Sequence, residues 1–589
     1  MIDQRNILLA IVLSIGILVA WQFIFVVPQA ERQAQVLEQQ TTSQPAGGEL
    51  STAQVGSISN TPKLGASVPS ALQETQKNIK PREEILKGTT RVGILSERLQ
   101  GSISLVGARI DDLLLSDYHE TVDPASPNIV LLSPAGASDP YYAEFGWLGS
   151  NVKLPDSTTK WQADRRNLTP KSPVIFKWQN GEGLKFEQHY ALDDNYMLEV
   201  TQRVINIGTN DVILAPYGLI SRTNTPEILN FYILHEGLLG VFDGTLKEVD
   251  YDEVVDEGTI RQKTSGGWIG ITDKYWLVAL VPDQNSAVET SFTSGTRGNT
   301  TVYQTDFLGS ANTLSSGATM EVRSHLFVGA KEVTLLDKYS NELGIGLFDR
   351  SVDFGLFYFL TKPIFQTIHW LSEMLGNFGL AILALTVGIR LLLFPLANKS
   401  FRAMSKMKLL QPKLVELKER YGEDRKKLNM EMMALYKAEG VNPMAGCLPV
   451  LVQIPIFFAL YKVLFVTIEM RHAPFFGWIS DLSARDPLGV FTLFGLINWN
   501  VPPTLDVINI GIWPIIMGAT MYFQTKLNPA PTDPIQAKIF TFLPFIFTFI
   551  LANFPAGLVI YWAWNNILSI VQQWVIMQQT TTGKSGAKT

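Results

Sequence analysis

The chain has 589 residues, enough for two or three domains, and 46% of them are apolar. Lys and Arg number 48 against 54 Asp and Glu, a formal charge of −6, so the dense basic excess of a phosphate-reading surface is missing. A single cysteine, Cys447, excludes an intramolecular disulfide and any zinc site built on several cysteines, and the six His show no metal-ligand spacing.

The first element is the apolar run Ile7 to Val27, preceded by Arg5. Its length matches a helix across about 30 Å of hydrocarbon, and it exceeds the about 7 to 15 apolar residues of a cleaved signal. Residues 1–27 are therefore expected to be a retained signal anchor with a cytoplasmic N-terminus. Residues 28–88 are rich in Gln, Thr, Ser, Ala, Gly and Pro. They offer too little apolar area to offset chain entropy and should form a flexible tether.

Short β-rich runs follow, among them Val174 to Trp178, Met197 to Ile205, Trp276 to Val281 and Met320 to Phe327, separated by Gly, Asn, Asp and Pro. Residues 89–350 thus read as an antiparallel β-sandwich domain closed by a C-terminal helix over Lys331 to Leu347. No carboxylate pair stands out as catalytic. Asp111-Asp112 and Asp193-Asp194 read as turn residues, and Ser265-Gly266-Gly267-Trp268 as a turn entering a strand. Residues 351–375 are aromatic-rich and divided by Pro363. They suit an amphipathic interfacial helix, the alternative being a linker helix packed on the β domain.

Residues 376–579 hold five further apolar segments: Phe378 to Ala397, Leu448 to Ile468, Ile508 to Phe523, Ile539 to Leu551 and Ala556 to Met577. With the anchor they make six transmembrane helices, the last two a tight hairpin. Cys447, in Gly446-Cys447-Leu448-Pro449, reads as a small buried hydrophobe. The loop from Asn398 to Gly446 carries Lys399, Arg402, Lys406, Lys408, Lys413, Lys418, Arg420, Arg425, Lys426, Lys427 and Lys437, whereas Glu469 to Val507 carries only Arg471 and Arg485. Basic loops stay in the cytoplasm, so the β domain lies outside and the C-terminus, with the short tail 580–589, inside. Residues 398–440 read as a helical hairpin turned at Tyr421-Gly422. Met404, Met407, Leu410, Leu414 and Leu417 form a stripe facing Leu428, Met432 and Leu435. The hairpin is either an antiparallel pair with solvated charges or a basic docking surface in which Met432 and Met433 add adaptable apolar contacts.

Arg390 lies inside the second apolar run, directly before Leu391-Leu392-Leu393-Phe394. An arginine at a helix centre costs on the order of 3 kcal/mol on insertion scales and normally faces a partner or a hydrated cavity. Thr386 precedes it by one turn. Gln453, Thr520, Gln524, Asn565 and Asn566 add neutral polar groups, Tyr561 an amphipathic one, and Lys462 is expected to snorkel outward. No Asp or Glu lies within the five runs. The arginine therefore reads as a fixed charge in a hydrated pocket, the alternative being a side chain that snorkels to the cytoplasmic interface beside Pro395.

The segments Gly388-Ile389-Arg390, Phe394-Pro395-Leu396, Lys406-Met407-Lys408-Leu409-Leu410-Gln411-Pro412-Lys413, Glu431-Met432-Met433-Ala434-Leu435-Tyr436-Lys437, Val441-Asn442-Pro443, Gln453-Ile454-Pro455-Ile456-Phe457 and Phe554-Pro555-Ala556-Gly557-Leu558 resemble, in order and spacing, the YidC/Oxa/Alb family of membrane insertases. The β domain resembles the large periplasmic supersandwich of Gram-negative members. The resemblance implies an inner-membrane insertase and chaperone for nascent membrane proteins, acting alone or beside the Sec translocon, with no cofactor and no nucleotide. It implies a groove lined by Arg390, Thr386 and Gln453, with Tyr561 and Trp562 touching substrate and Gln524 and Asn565 among its polar groups. It also implies a cytoplasmic hairpin required for insertion, through which a ribosome or the signal recognition particle receptor could dock, and contact with membrane lipids. Trp562 stands where many relatives have tyrosine. The segment Leu488 to Asn509 is longer than in enterobacterial members and points to an alphaproteobacterial type. The short C-terminal tail, with only Lys584 and Lys588, implies little ribosome binding there. The rival class is a transporter or channel with an outer sugar-binding domain. Intramembrane carboxylates or an inverted repeat would favour it, and neither is evident.

Overall fold

The computed structural model describes residues 68–70, 79–228, 234–297, 300–422, 424–441, 448–497, 499–506, 508–527 and 534–585. The expected anchor, most of the expected tether and Cys447 lie outside them. The end of the tether is an ordered helix instead, α1 (Arg82–Gly88). Arg82 pairs with Asp112, and the Lys80 amide donates to the Gly136 carbonyl, so long-range partners supply what the local composition lacks.

Residues 91–330 form two packed sheets. One has eleven strands and runs from Ile260–Ser265 through Val212–Thr223, Tyr141–Gly149, Ile110–His119 and Arg91–Leu95 to Asn167–Leu168. The other has nine and runs from Thr245–Asp250 through Trp268–Thr272, Trp276–Val281, Thr319–Ala330, Met197–Asn206 and Val174–Gln179 to Gln162–Ala163. Leu184–Leu192 alternates strictly between buried and half-buried positions, the period-two pattern of a strand with one face on a core. Gln188 and Gln202 project into that core, and their amides donate across it to the Phe145 and Gly146 carbonyls at 2.8 and 2.7 Å, which locks the layers in register. The pairing is antiparallel except where Arg91–Leu95 meets Asn167–Leu168 in parallel. Asp111 and Asp112 are not turn residues. Both are buried in the strand Ile110–His119, paired with Arg91 and Arg82. Asp193 does hold a turn, accepting the amides of Asn195 and Met197. Gly266 and Gly267, with φ of 71° and 82°, turn the chain into the Trp268 strand.

A short helix α2 (Tyr251–Glu257) interrupts the strands, and the closing helix α3 (Val333–Glu342) is shorter than expected, because Gly344 adopts φ 67° and a 3₁₀ turn, Phe348–Ser351, follows. Trp268 and Phe327 both pack edge-on against Phe348. Next comes α4 (Tyr358–Leu375), which Pro363 does not divide. The proline falls in the second turn, and the amide it lacks would have met the carbonyl of the exposed Phe359. Gly376, in the left-handed region, ends α4, and the Asn377 side chain caps α5 (Phe378–Leu392) through the Leu380 amide.

The apolar run continues past Leu392, but the helix does not. Pro395 cannot continue α5, because its ring would meet the carbonyl four residues back, so it sits instead in the first turn of α6 (Phe394–Tyr421). The two axes bend by 69°. Asp424 caps α7 (Arg425–Ala438), which packs against α6, and Lys413 reaches Glu439 at 2.8 Å. Then follow α8 (Leu448–Val466), the short α9 (Pro503–Asp506), α10 (Ile512–Leu527), α11 (Pro534–Leu551) and α12 (Ala556–Ser585), the last reaching beyond the expected end at Met577. Among the described residues no single helix is long and apolar enough to cross a membrane. The bent pair α5–α6 is, taken together, and Val452–Val466 and Ala537–Leu551 are shorter apolar helices.

Candidate functional site: Arg390 and the polar face of the last helix

The 69° bend relocates Arg390. It is not at the centre of a straight span but in the last turn of α5, two residues before the helix ends. Its side chain turns inward to α12. Nε donates to Asn565 Oδ1 at 3.0 Å, and Nη2 donates to the same oxygen at 2.6 Å, to the Asn565 carbonyl at 3.2 Å and to Ser569 Oγ at 2.6 Å. Every acceptor is neutral. No described residue forms an ion pair with Arg390 or accepts a hydrogen bond from Nη1.

The face of α12 that receives the arginine follows from helical spacing. Tyr561, Asn565 and Ser569 stand at intervals of four and share one stripe. Ser569 also donates to the Asn565 carbonyl at 2.8 Å, so its hydroxyl bridges its own helix to the guanidinium. Tyr561 is buried and its hydroxyl accepts from Gln453 Nε2 at 3.0 Å, which ties α8 to the stripe. The arrangement is a charge gripped on one side by two residues of a single helix, with one guanidinium nitrogen left open.

The other expected residues are placed differently. Thr386 is buried but donates its hydroxyl to the Ile382 carbonyl of its own helix at 2.7 Å, so it lines the helix without touching Arg390. Trp562 faces Phe457 and Phe547, with ring centroids 4.8 and 5.5 Å apart, a purely apolar setting. Gln524 is half-buried on α10 and makes no hydrogen bond to the arginine cluster. Asn566, on the neighbouring face of α12, donates to Thr520 at 3.2 Å and fixes α10. Ser569 is the contact the sequence did not single out. Its only signal is its position one turn beyond Asn565.

Lys462 does not snorkel outward. Its ammonium lies 2.8 Å from the Asp353 carboxylate, with 13% and 18% of the two side chains exposed. Asp353 also accepts the His235 amide at 3.1 Å, so this pair joins α8 to the β domain. A second tie is Arg471, which donates to the His119 carbonyl at 2.6 Å. A cavity of about 620 Å³ lies beside Asp353 and Lys462, lined also by Glu236, Glu248 and Phe458, and it includes none of the Arg390 cluster.

On the hairpin, Lys399, Arg402, Lys406, Lys408 and Lys413 are exposed along α6, and Met433 is exposed on α7. Leu410 and Leu414 are buried, Met407 and Met432 half-buried. Met404 packs with Ala397 and Phe401 against Ile576 of α12. Lys406 and Lys413 stand one turn on either side of the buried Leu410, so basic residues flank the apolar stripe along the helix.

Residues 370–584 match the family model described as the 60Kd inner membrane protein, and residues 91–367 match that of the YidC periplasmic domain. A membrane protein insertase YidC from Methylobacterium nodulans is 48% identical over 98% of this chain and 95% of its own length. The one from Bradyrhizobium diazoefficiens is 49% identical over 98% and 97%. Among solved structures, an active YidC insertase with its first transmembrane domain resolved covers 82% of this chain and 92% of its own, at 17% identity and a TM-score of 0.35. On the strength of near-full-length identity to these relatives, the chain belongs to the YidC family of membrane protein insertases.

Proposed function

We propose that this protein inserts and helps fold integral membrane proteins in the inner membrane, and that Arg390 is the working charge of its groove. Family membership supports the activity, and the observation that carries the role of Arg390 is its grip by Asn565 and Ser569 with no carboxylate among its partners. A neutral grip holds the guanidinium in place and leaves its charge unneutralised. An acidic or otherwise polar outer segment of a substrate finds there a partner that lowers its desolvation cost. Burial of the substrate's apolar helix in lipid drives the step, and the protein supplies position and charge rather than catalysis. Gln453 and Tyr561 line the same groove, Trp562 and Gln524 its apolar and polar flanks, and Thr386 the wall behind Arg390.

The topology that goes with this reading has six spans, both termini in the cytoplasm and residues 89–350 in the periplasm. The basic helices α6 and α7 face the cytoplasm, where a ribosome or the signal recognition particle receptor docks, and the Sec translocon and lipids contact the helical core. The test is depletion of the protein with rescue by Arg390→Ala or Arg390→Lys, read as insertion of a single-span substrate with an acidic outer segment. Arg390→Ala should lose insertion and Arg390→Lys keep a substantial part, since it preserves charge and loses only the forked grip. Wild-type insertion by Arg390→Ala would overturn the central role of the charge.

A further inference from the structure

The segment between Asp486 and Asp506 contains no charged residue. It includes Leu493, Phe494, Leu496, Ile497 and Trp499, all exposed, with Leu496 at 86%. Leu493 and Phe494 are consecutive non-glycine residues in the left-handed region, at φ 45° and 57°. Such backbone costs on the order of 1–2 kcal/mol per residue, and it persists where something is gained by it. Here it turns a cluster of large apolar side chains outward.

The backbone of this knuckle is closed on itself. The amide of Val490 donates to the Ile510 carbonyl, Phe491 to Asn509 Oδ1, Thr492 and Phe494 to Gly489, Leu493 to Val490, Gly495 and Ile497 to Thr492, and Leu496 to Leu493. Thus every amide from Val490 to Ile497 has an acceptor between Gly489 and Ile510. The indole of Trp499 donates to the Phe491 carbonyl at 2.7 Å. Charge is confined to the base, where Arg485 pairs with Asp506 and Asp486 accepts from the Trp513 amide at 2.8 Å.

We infer that the knuckle Val490 to Ile497, with the Trp499 indole, is a lipid anchor, inserted among the acyl chains of the outer leaflet while its Arg485–Asp506 base stays at the headgroups. A protein partner would be met with hydrogen bonds, about one per 100–200 Å² of interface, and the knuckle has spent its amides internally. Hydrocarbon imposes the opposite demand, that no backbone donor be left open, and the knuckle meets it from Val490 to Ile497. Apolar exposure recurs on the helices that follow, at Ile515 of α10 and at Phe549 and Ile550 of α11. The inference rests on the reading of the helical half as membrane-embedded.

The test uses the full chain in vesicles of phosphatidylethanolamine and phosphatidylglycerol. In a Cys447→Ser background, a fluorophore is attached to Leu496→Cys and, as a control, to Asp123→Cys on an exposed turn of the β domain. Nitroxide lipids, labelled high on the acyl chain, should quench the Leu496→Cys probe, and aqueous iodide should quench it about tenfold less than the control, because an anion is excluded from hydrocarbon. Iodide quenching equal to the control would overturn the inference and leave the knuckle as a surface for another protein. Insertion of a single-span substrate into the same vesicles is measured in parallel. An active protein with an iodide-accessible probe would refute the anchor while leaving the insertase reading intact.

Discussion

Replacing Asn565 by aspartate tests the neutral grip on Arg390 with almost no change of shape. A carboxylate oxygen at the position of Asn565 Oδ1 would lie 3.0 Å from Nε and 2.6 Å from Nη2. At that separation the attraction is about 5 kcal/mol for an effective dielectric of about 20. Desolvating the new charge cancels most of it, leaving on the order of 1–2 kcal/mol in favour of the closed pair. A substrate carboxylate must displace that pair, and about 1.4 kcal/mol corresponds to tenfold in competition. Asn565→Asp should therefore slow insertion of a substrate with an acidic outer segment about tenfold relative to one whose segment is neutral. Initial insertion rates of the two substrates into vesicles give this ratio, and thermal unfolding of the variant, expected at or above wild type, shows that the fold survives. An unchanged ratio would refute the idea that Arg390 works through an unneutralised charge.

The tie between α8 and the β domain gives a stability prediction. Asp353→Asn leaves the buried Lys462 ammonium without its carboxylate and should destabilise the junction by about 3–5 kcal/mol, seen as a lower unfolding midpoint in detergent. Adding Lys462→Met should recover most of the loss, and a wild-type midpoint for the single variant would show the pair to be idle. Glu469 supplies a pH dependence. Burial pushes its carboxyl up to about 7 from an ordinary 4.5, and one of its oxygens accepts the Val333 amide at the start of α3. The folded state thus holds a proton that the unfolded chain releases. Its contribution is complete below about 4.5 and is lost as pH rises through about 7. Glu469→Gln should flatten the unfolding midpoint across that window, and an unaltered slope would assign the effect elsewhere.

How much of this could be read from the chain differs with the range of the interaction involved. Strand positions such as Trp276 to Val281 were legible because a short, continuous apolar run bounded by Asp273 and Pro282-Asp283 is a local signal. Asp111 and Asp112 were misread because acids are poor strand formers, and the partners that make them tolerable, Arg91 and Arg82, are set by tertiary folding. Arg390 was legible as a costly residue, but its place in the helix was not. Hydropathy measures composition and passes smoothly through Leu391 to Leu396, whereas the axis turns at Leu393 under the constraint of Pro395. Asn565 was among the polar groups singled out. Ser569 was hidden because a helical serine commonly satisfies itself on the carbonyl one turn back, as this one also does. Lys462 was read as a solitary cation because Asp353 is more than a hundred residues away in sequence.

The bend at Leu393 has a mechanical consequence. Arg390 stands on one side of it and the basic hairpin on the other, and both arms are held by the same helix: α12 grips the arginine with Asn565 and Ser569, and it meets the first turns of α6 through Ile576. Asn565 and Ile576 are eleven residues apart, about 16 Å along the helix. A load applied to the hairpin is shared between the elbow and this strut, and rotation of α6 about the elbow shifts Phe401 and Ala397 over Ile576. The geometry is that of a bell crank, in which a push on the hairpin arm would be turned toward the guanidinium.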